Sequence, residues 1–183
     1  MGHIKEQTFK IRDAKVVLRS PDESDADILL DYAACIFNEY ENLLFEPGEF
    51  NNTPEQERQW IRDHAAAPNG VILMAEQSGM VVGLMNCTPG AFRRTAHIGE
   101  VGITVRPGWP GLGLGTIMMR TFFEWAQSNP GLSKICLSVF STNPRAHALY
   151  LRLGFEQEGR RERQFRMGPD RFADEILMRR FVD

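Results

Sequence analysis

The chain has 183 residues, 43% of them hydrophobic and 25% charged, with a formal net charge of −3; that length suits one domain with a sizeable core. Such a balance argues against a dedicated nucleic-acid binder, and the longest apolar stretches, Val71–Ala75 and Met80–Met85, are too short to cross a bilayer. Cys35, Cys87 and Cys136 are odd in number and widely spaced, and His3, His64, His97 and His147 show no ligand spacing, so neither a metal site nor a disulfide framework is expected.

In chain order, the opening residues show no apolar signal core, so a cytoplasmic protein is expected, with neither membrane nor nucleic acid as partner. Val16–Arg19 reads as a first strand. Ser24 is placed to cap a helix whose residues Ile28, Leu29, Tyr32, Ile36 and Phe37 follow helical spacing. Asn42–Asn52 is an irregular connector, and Thr53-Pro54-Glu55-Gln56 is a capped helix start leading into Trp60 and Ile61. Val71–Gln77 and Met80–Thr88 form a hairpin about Ser78-Gly79, and His97–Val105 is the next strand. Gly113–Gln127 reads as a helix, Lys134–Phe140 as a strand and Asn143–Leu153 as a helix; Gly154–Arg163 and Arg171–Phe181 are two final strands. The pattern is α/β (α+β): a mixed central sheet of about seven strands with about four helices on its two faces, in a single domain over 1–183 with its core from about 16 to 181.

Charge is unevenly spread. Between Arg19 and Arg58 there is no Lys or Arg but eleven Asp or Glu, whereas Arg160, Arg161, Arg163, Arg166, Arg171, Arg179 and Arg180 crowd the other end. The acidic half could receive a cationic ligand or could be a solvated helix face.

The strongest local signal is Val105-Arg106-Pro107-Gly108-Trp109-Pro110-Gly111-Leu112-Gly113-Leu114-Gly115-Thr116. A strand ends, a glycine-rich turn follows and an apolar helix begins. Glycines at 111, 113 and 115 leave amides bare, and the unsatisfied N–H groups of the new helix point the same way, which makes a cradle for phosphate. A Walker loop needs Gly-Lys-Ser/Thr, but Gly115 is followed by Thr116-Ile117. The dinucleotide fingerprint needs GxGxxG and a carboxylate about twenty positions on, and Lys134–Cys136 offers none. A purely structural turn remains open on this loop alone.

A second constellation follows: Asn143-Pro144-Arg145-Ala146-His147-Ala148-Leu149-Tyr150, then Leu153-Gly154-Phe155. Asn143 is a natural N-cap with Pro144 in the first turn. Two helical turns bring Asn143 and Tyr150 onto one face, roughly 10.5 Å apart, along which an extended thiol-bearing arm could lie.

Together, in this order, the two motifs resemble the GNAT superfamily of N-acetyltransferases, with its glycine loop after the fourth strand and its Asn-x-x-Ala-x-x-x-Tyr helix ending in Gly-Phe. The resemblance runs from Val16 to about Phe181, and the ending Gly159–Phe181 is most similar to the branch that acetylates ribosomal-protein N-termini, polyamines or small amines. It implies a sheet splayed between its fourth and fifth strands. It also implies acetyl-coenzyme A as co-substrate, held by Ile103, Thr104, Val105, the loop Gly111, Leu112, Gly113, Leu114, Gly115 and Thr116, and by Asn143, Arg145 and Ala146. Acetyl would pass directly to a primary amine in a ternary complex. In that reading Glu100 is the base that deprotonates the acceptor, Tyr150 is the acid that protonates the leaving thiolate, and amides near Ile103–Val105 meet the oxyanion. Glu39, Tyr40 and Glu41 border the acceptor entrance, favouring a cationic small-molecule or peptide amine. Dimers are common in the family, and the last two strands are the expected interface. One departure stands out: the family usually has Arg or Gln where this chain has Pro110, which also lacks an N–H, so Arg106 or Arg145 is expected to supply the missing positive charge. The alternative function is a non-catalytic acyl-coenzyme A sensor.

Overall fold

The computed structural model describes residues 2–182. Strands β1 (Gln7–Ile11) and β2 (Ala14–Arg19) form an opening hairpin. The sequence reading missed β1, because the turn between them carries no glycine or proline; Arg12 itself takes the positive φ of 52°. A short 3₁₀ turn, Glu23–Asp25, leads into α1 (Ala26–Glu39). Asp22 caps the 3₁₀ turn: its carboxylate accepts from the Ser24 amide at 2.8 Å, and the Asp25 carboxylate accepts from the Asp22 amide at 2.8 Å. Asp25, and not the expected Ser24, stands at the start of α1, without a side-chain cap bond. Asp25 is in turn gripped by Arg19 through two bonds of 2.7 Å.

Helix α2 (Pro54–Ala66) begins as expected, with Thr53 and Gln56 forming a reciprocal capping box and proline in the first turn. Strands β3 (Val71–Gln77) and β4 (Met80–Pro89) meet at Ser78 and Gly79, both with positive φ, as the right-handed twist of a two-residue hairpin demands. Then follow β5 (Ile98–Val105), α3 (Leu114–Gln127), β6 (Lys134–Phe140), α4 (Pro144–Arg152), β7 (Glu156–Gly168) and β8 (Arg171–Phe181).

The eight strands lie in the order β1-β2-β3-β4-β5-β6-β8-β7, antiparallel except for β5 beside β6. Burial follows the alternation of a strand covered on both sides. Ile72 and Met74 of β3 pack with Leu29, Tyr32 and Ile36 of α1 and Ile61 of α2. Val71, Leu73 and Ala75 pack with Met118, Met119 and Phe122 of α3. This is why Val71–Ala75 reads as an unbroken apolar run. No helix is long and apolar enough to cross a membrane among the described residues.

The feature that creates the site is a failure of pairing. Only Ile98, Glu100 and the glycine between them pair with β6, at Lys134, Cys136 and Ile135. Beyond Glu100, β5 stays with β4 as far as Val105 opposite Gly83, and β6 stays with β8 as far as Phe140 opposite Glu175. Each strand keeps its outer neighbour, so the sheet opens as a wedge between β5 and β6.

Candidate active site

Two cavities meet in this wedge, one of about 800 Å³ and one of about 440 Å³. Both are bordered by Leu43, Ile103, Thr104, Asn143, Ala146 and Tyr150. The smaller continues onto the glycine loop and α4, and the larger onto the exposed floor of β4 and β5.

On the loop side, Gly111 and Gly113 take φ of 85° and 89°, a region that a side chain disfavours. The Leu112 amide is spent closing a turn onto Trp109, and the Ile117 amide bonds the Gly113 carbonyl. The amides of Gly111, Gly113, Leu114, Gly115 and Thr116 have no backbone partner, as the first turn of a helix requires. Gly111, Gly113, Gly115 and Thr116 line the smaller cavity. Leu112 and Leu114 do not; their side chains turn into the core. An anion is what such a set of donors accommodates.

Of the two arginines expected near Pro110, Arg145 is the one that lines the smaller cavity. A Cβ added to Gly111 would lie 2.8 Å from Arg145 Nη2, so the glycine leaves room for the guanidinium over the loop. Arg145 makes no ion pair among the described residues, and Arg152 lines the same cavity. Arg106 does not line this cavity: its Nε donates to the Val81 carbonyl at 2.8 Å, and its guanidinium lies 5.6 Å from the centre of the Tyr32 ring.

At the wedge, hydrogen-bond parity sorts the β5 backbone. The Arg106 amide donates to the Val82 carbonyl at 2.9 Å, so in an antiparallel pair the amides of Thr104 and Gly102 also face β4, while those of Ile103 and Val105 face the gap. Since β6 has already diverged, Ile103 and Val105 carry the open donors, and Thr104 does not. Thr104 contributes through its side chain, which lies 3.0 Å from the Tyr32 hydroxyl.

Asn143 caps α4, its Oδ1 accepting from the Ala146 amide at 3.1 Å, which leaves its side-chain NH₂ for the cavity. Tyr150 is buried against Phe155, their ring centres 5.8 Å apart. It borders both cavities, and burial pushes its pKa up to about 12. Glu100 is exposed on the floor of the larger cavity.

The expected acceptor contacts fall differently. Tyr40 lines the smaller cavity, and its hydroxyl donates to the Val105 carbonyl at 3.0 Å. Glu39 and Glu41 line neither cavity, and Glu41 is paired with Arg171 at 3.1 Å. Helix α1 ends at Glu39, and from there the chain turns Asn42, Leu43 and Leu44 toward the larger cavity, leaving the carboxylates in solvent. The sequence reading missed Asn86 and Thr88, which line the larger cavity from β4. Their signal was the polar alternation Asn86-Cys87-Thr88 in an otherwise apolar strand.

The acetyltransferase (GNAT) family profile matches residues 36–155, a span holding the loop, the wedge and α4. The chain belongs to the GNAT acetyltransferase family. Among solved structures, a GNAT-family acetyltransferase of Streptococcus pneumoniae is 26% identical, with a TM-score of 0.87 over 92% of this chain and 99% of that one. The yncA protein of Salmonella typhimurium, solved with its cofactor acetyl-CoA, shares the GNAT fold at 18% identity, with a TM-score of 0.80 over 92% of this chain and 94% of that one. The L-amino acid N-acetyltransferase AaaT of Escherichia coli (strain K12) is 30% identical over 103 residues, 56% of this chain and 64% of that protein's length. Among the described residues no group of three or more His, Cys, Asp or Glu is arranged to hold a metal ion.

Proposed function

We propose that this GNAT protein moves an acetyl group from acetyl-coenzyme A directly to a primary amine. The observation that carries the reading is the junction at Tyr150. A loop of free amides ends at one side of it, an open floor bearing one carboxylate begins at the other, and the phenol borders both spaces where they meet.

In this reading the free amides of the glycine loop and Arg145 hold the cofactor's phosphates, and the Asn143 side chain holds its amide-bearing arm. The co-substrate supplies an activated acyl group. Glu100 takes a proton from the acceptor ammonium, so that the amine nitrogen can attack the carbonyl. The amides of Ile103 and Val105 donate to the carbonyl oxygen as charge builds there. Tyr150 gives its proton to the sulfur as the carbon–sulfur bond breaks, and the second proton that the attacking nitrogen sheds on becoming an amide returns to the Tyr150 phenolate; the net products are the amide, the free thiol and the proton on Glu100. Burial makes the phenol a weaker acid than usual, and it stays protonated at neutral pH, ready to donate as charge develops on the sulfur. Direct transfer agrees with the cysteines. None lines either cavity, the buried Cys87 thiol is pushed up to about 12, and burial also raises Cys136, so neither is an activated nucleophile.

A catalyst is favoured over a passive sensor because Tyr150 and Glu100 both border a second, acceptor-sized space, which a sensor does not need. The same reading carries a cytoplasmic protein and a homodimer, the exposed edge strand β7 being the natural contact. Calorimetry with acetyl-coenzyme A, followed by thiol release with an amine panel, tests the function. Binding without thiol release for any amine would leave the sensor, and no binding would remove both.

A further inference from the structure

The acceptor side contains a chain of hydrogen bonds that ends in the cavity. His64 is buried, with Nδ1 2.9 Å from the Trp60 carbonyl and Nε2 3.0 Å from Thr88 Oγ1. A carbonyl only accepts, so Nδ1 carries the imidazole proton, and the neutral ring accepts at Nε2 from the Thr88 hydroxyl. That hydroxyl has one hydrogen and has now spent it. Toward Asn86, 3.2 Å away, Thr88 Oγ1 can therefore only accept, so the Asn86 NH₂ group must face it. The amide's other end is then fixed. Asn86 Oδ1 lies over Gly102, 2.9 Å from where a Cβ would stand, and the missing side chain leaves it open to the cavity.

Strand register adds the second half. Asn86 lies opposite Gly102 and Thr88 opposite Glu100, so the oriented carbonyl and the carboxylate are diagonal neighbours on one face of the sheet. Glu100 is the only acidic or basic side chain lining the larger cavity among the described residues. The rest of its polar lining is neutral, including Asn42, Thr95 and Ser138.

We propose that Asn86 Oδ1 and Glu100 together seat the acceptor's ammonium group, with Thr88 and His64 as positioning residues, and that the acceptor is a primary monoamine with an uncharged polar body and no carboxylate. An acceptor carboxylate would meet Glu100 with no cation to pair it, and a second ammonium would find no second acid. The surrounding amide and hydroxyl groups suit an amide- or hydroxyl-bearing body. The proposal rests on the acetyl-transfer reading above.

The test uses the full chain and acetyl-coenzyme A with matched acceptors: phenylalaninamide against phenylalanine, an amino alcohol against spermidine, and a short peptide amide to separate a free small molecule from a peptide N-terminus. The amide and amino alcohol should exceed the free acid and the polyamine at least tenfold in kcat/KM. Thr88→Val, at an exposed position, should raise the acceptor KM about fivefold while kcat and the acetyl-coenzyme A KM hold within about twofold, and Thr88→Ser should restore it; Asn86→Leu should raise the acceptor KM about tenfold. Equal or better use of the free acid or polyamine overturns the acceptor class, as does acetyl-coenzyme A binding without acetylation of any uncharged-bodied amine. A fall in kcat in Thr88→Val, or no rescue by serine, overturns the positioning chain. Absence of acetyl-coenzyme A binding is the distinct result that removes the acetyl-transfer reading itself.

Discussion

The two cavities of the wedge share their inner wall but carry opposite charge. Among the described residues, the smaller is lined by Arg145, Arg152 and the bare amides of the glycine loop, with no acid, and the larger by Glu100 alone of the charged side chains. In the proposed reading one side takes an anion and the other a cation, and Tyr150 stands where they meet. On that reading one break in a sheet brings together two ligands of unlike charge. A donor-rich helix terminus supplies one field, and a strand carboxylate supplies the other.

The largest effect should come from the junction itself. Tyr150→Phe keeps the ring against Phe155 and removes only the proton donor, so turnover should fall about a hundredfold with acetyl-coenzyme A affinity nearly unchanged; unchanged turnover would remove Tyr150 from the chemistry. Next come the two sides taken separately. Arg145→Ala should raise the acetyl-coenzyme A KM about tenfold and leave the acceptor KM alone, and a change confined to the acceptor KM would break the assignment of sides. Glu100→Gln should lower kcat/KM for the acceptor about tenfold at neutral pH. That deficit should shrink as pH rises, because more of the amine then arrives already deprotonated; a deficit independent of pH would argue against a base at this position.

The smallest effect concerns the support beneath the acceptor side. Burial lowers the pKa of His64 below its ordinary 6.5, against the opposing pull of its bond to Trp60 and the charge of Asp63. The folded chain therefore binds this proton less readily than the unfolded one, so His64 makes stability decline as pH falls through about 6.5 toward the lowered value. Urea denaturation at pH 7.5 and 5.5 should show that decline, and His64→Gln should flatten it. A variant that falls as steeply as the parent would show that His64 is not the group responsible.

Much of the scaffold was legible because its signals are local. The capping box at Thr53, the turn at Ser78-Gly79 and the glycine run at 111–115 each state their conformation within a few residues, and the observed elements follow them. Strand β1 escaped because its turn is made by Arg12 without a glycine, and the start of α1 differs because a 3₁₀ turn capped by Asp22 takes up the residues around Ser24.

The candidate site was legible in its loop and its helix, and poorly legible in the larger cavity proposed for the acceptor. A run of carboxylates at 39–49 reads as a cation-binding surface, yet Glu39 and Glu41 line neither cavity, while the polar floor of the larger one comes from Asn86 and Thr88, far away in sequence. Charge in a sequence says nothing about which way a helix end points it. Likewise, composition offers no way to choose between Arg106 and Arg145. Only packing shows the first held by Val81 and Tyr32 and the second lying over Gly111.

By itself, the sequence determined which backbone would be left with bare donors and which helix would carry an asparagine and a tyrosine two turns apart, since both follow from residue type and short-range geometry. The tertiary structure alone decided that β5 and β6 part after Glu100, and that a buried imidazole turns an asparagine carbonyl toward the opening. Both depend on which strands and helices come to lie side by side, a matter of long-range pairing that no window of neighbouring residues records.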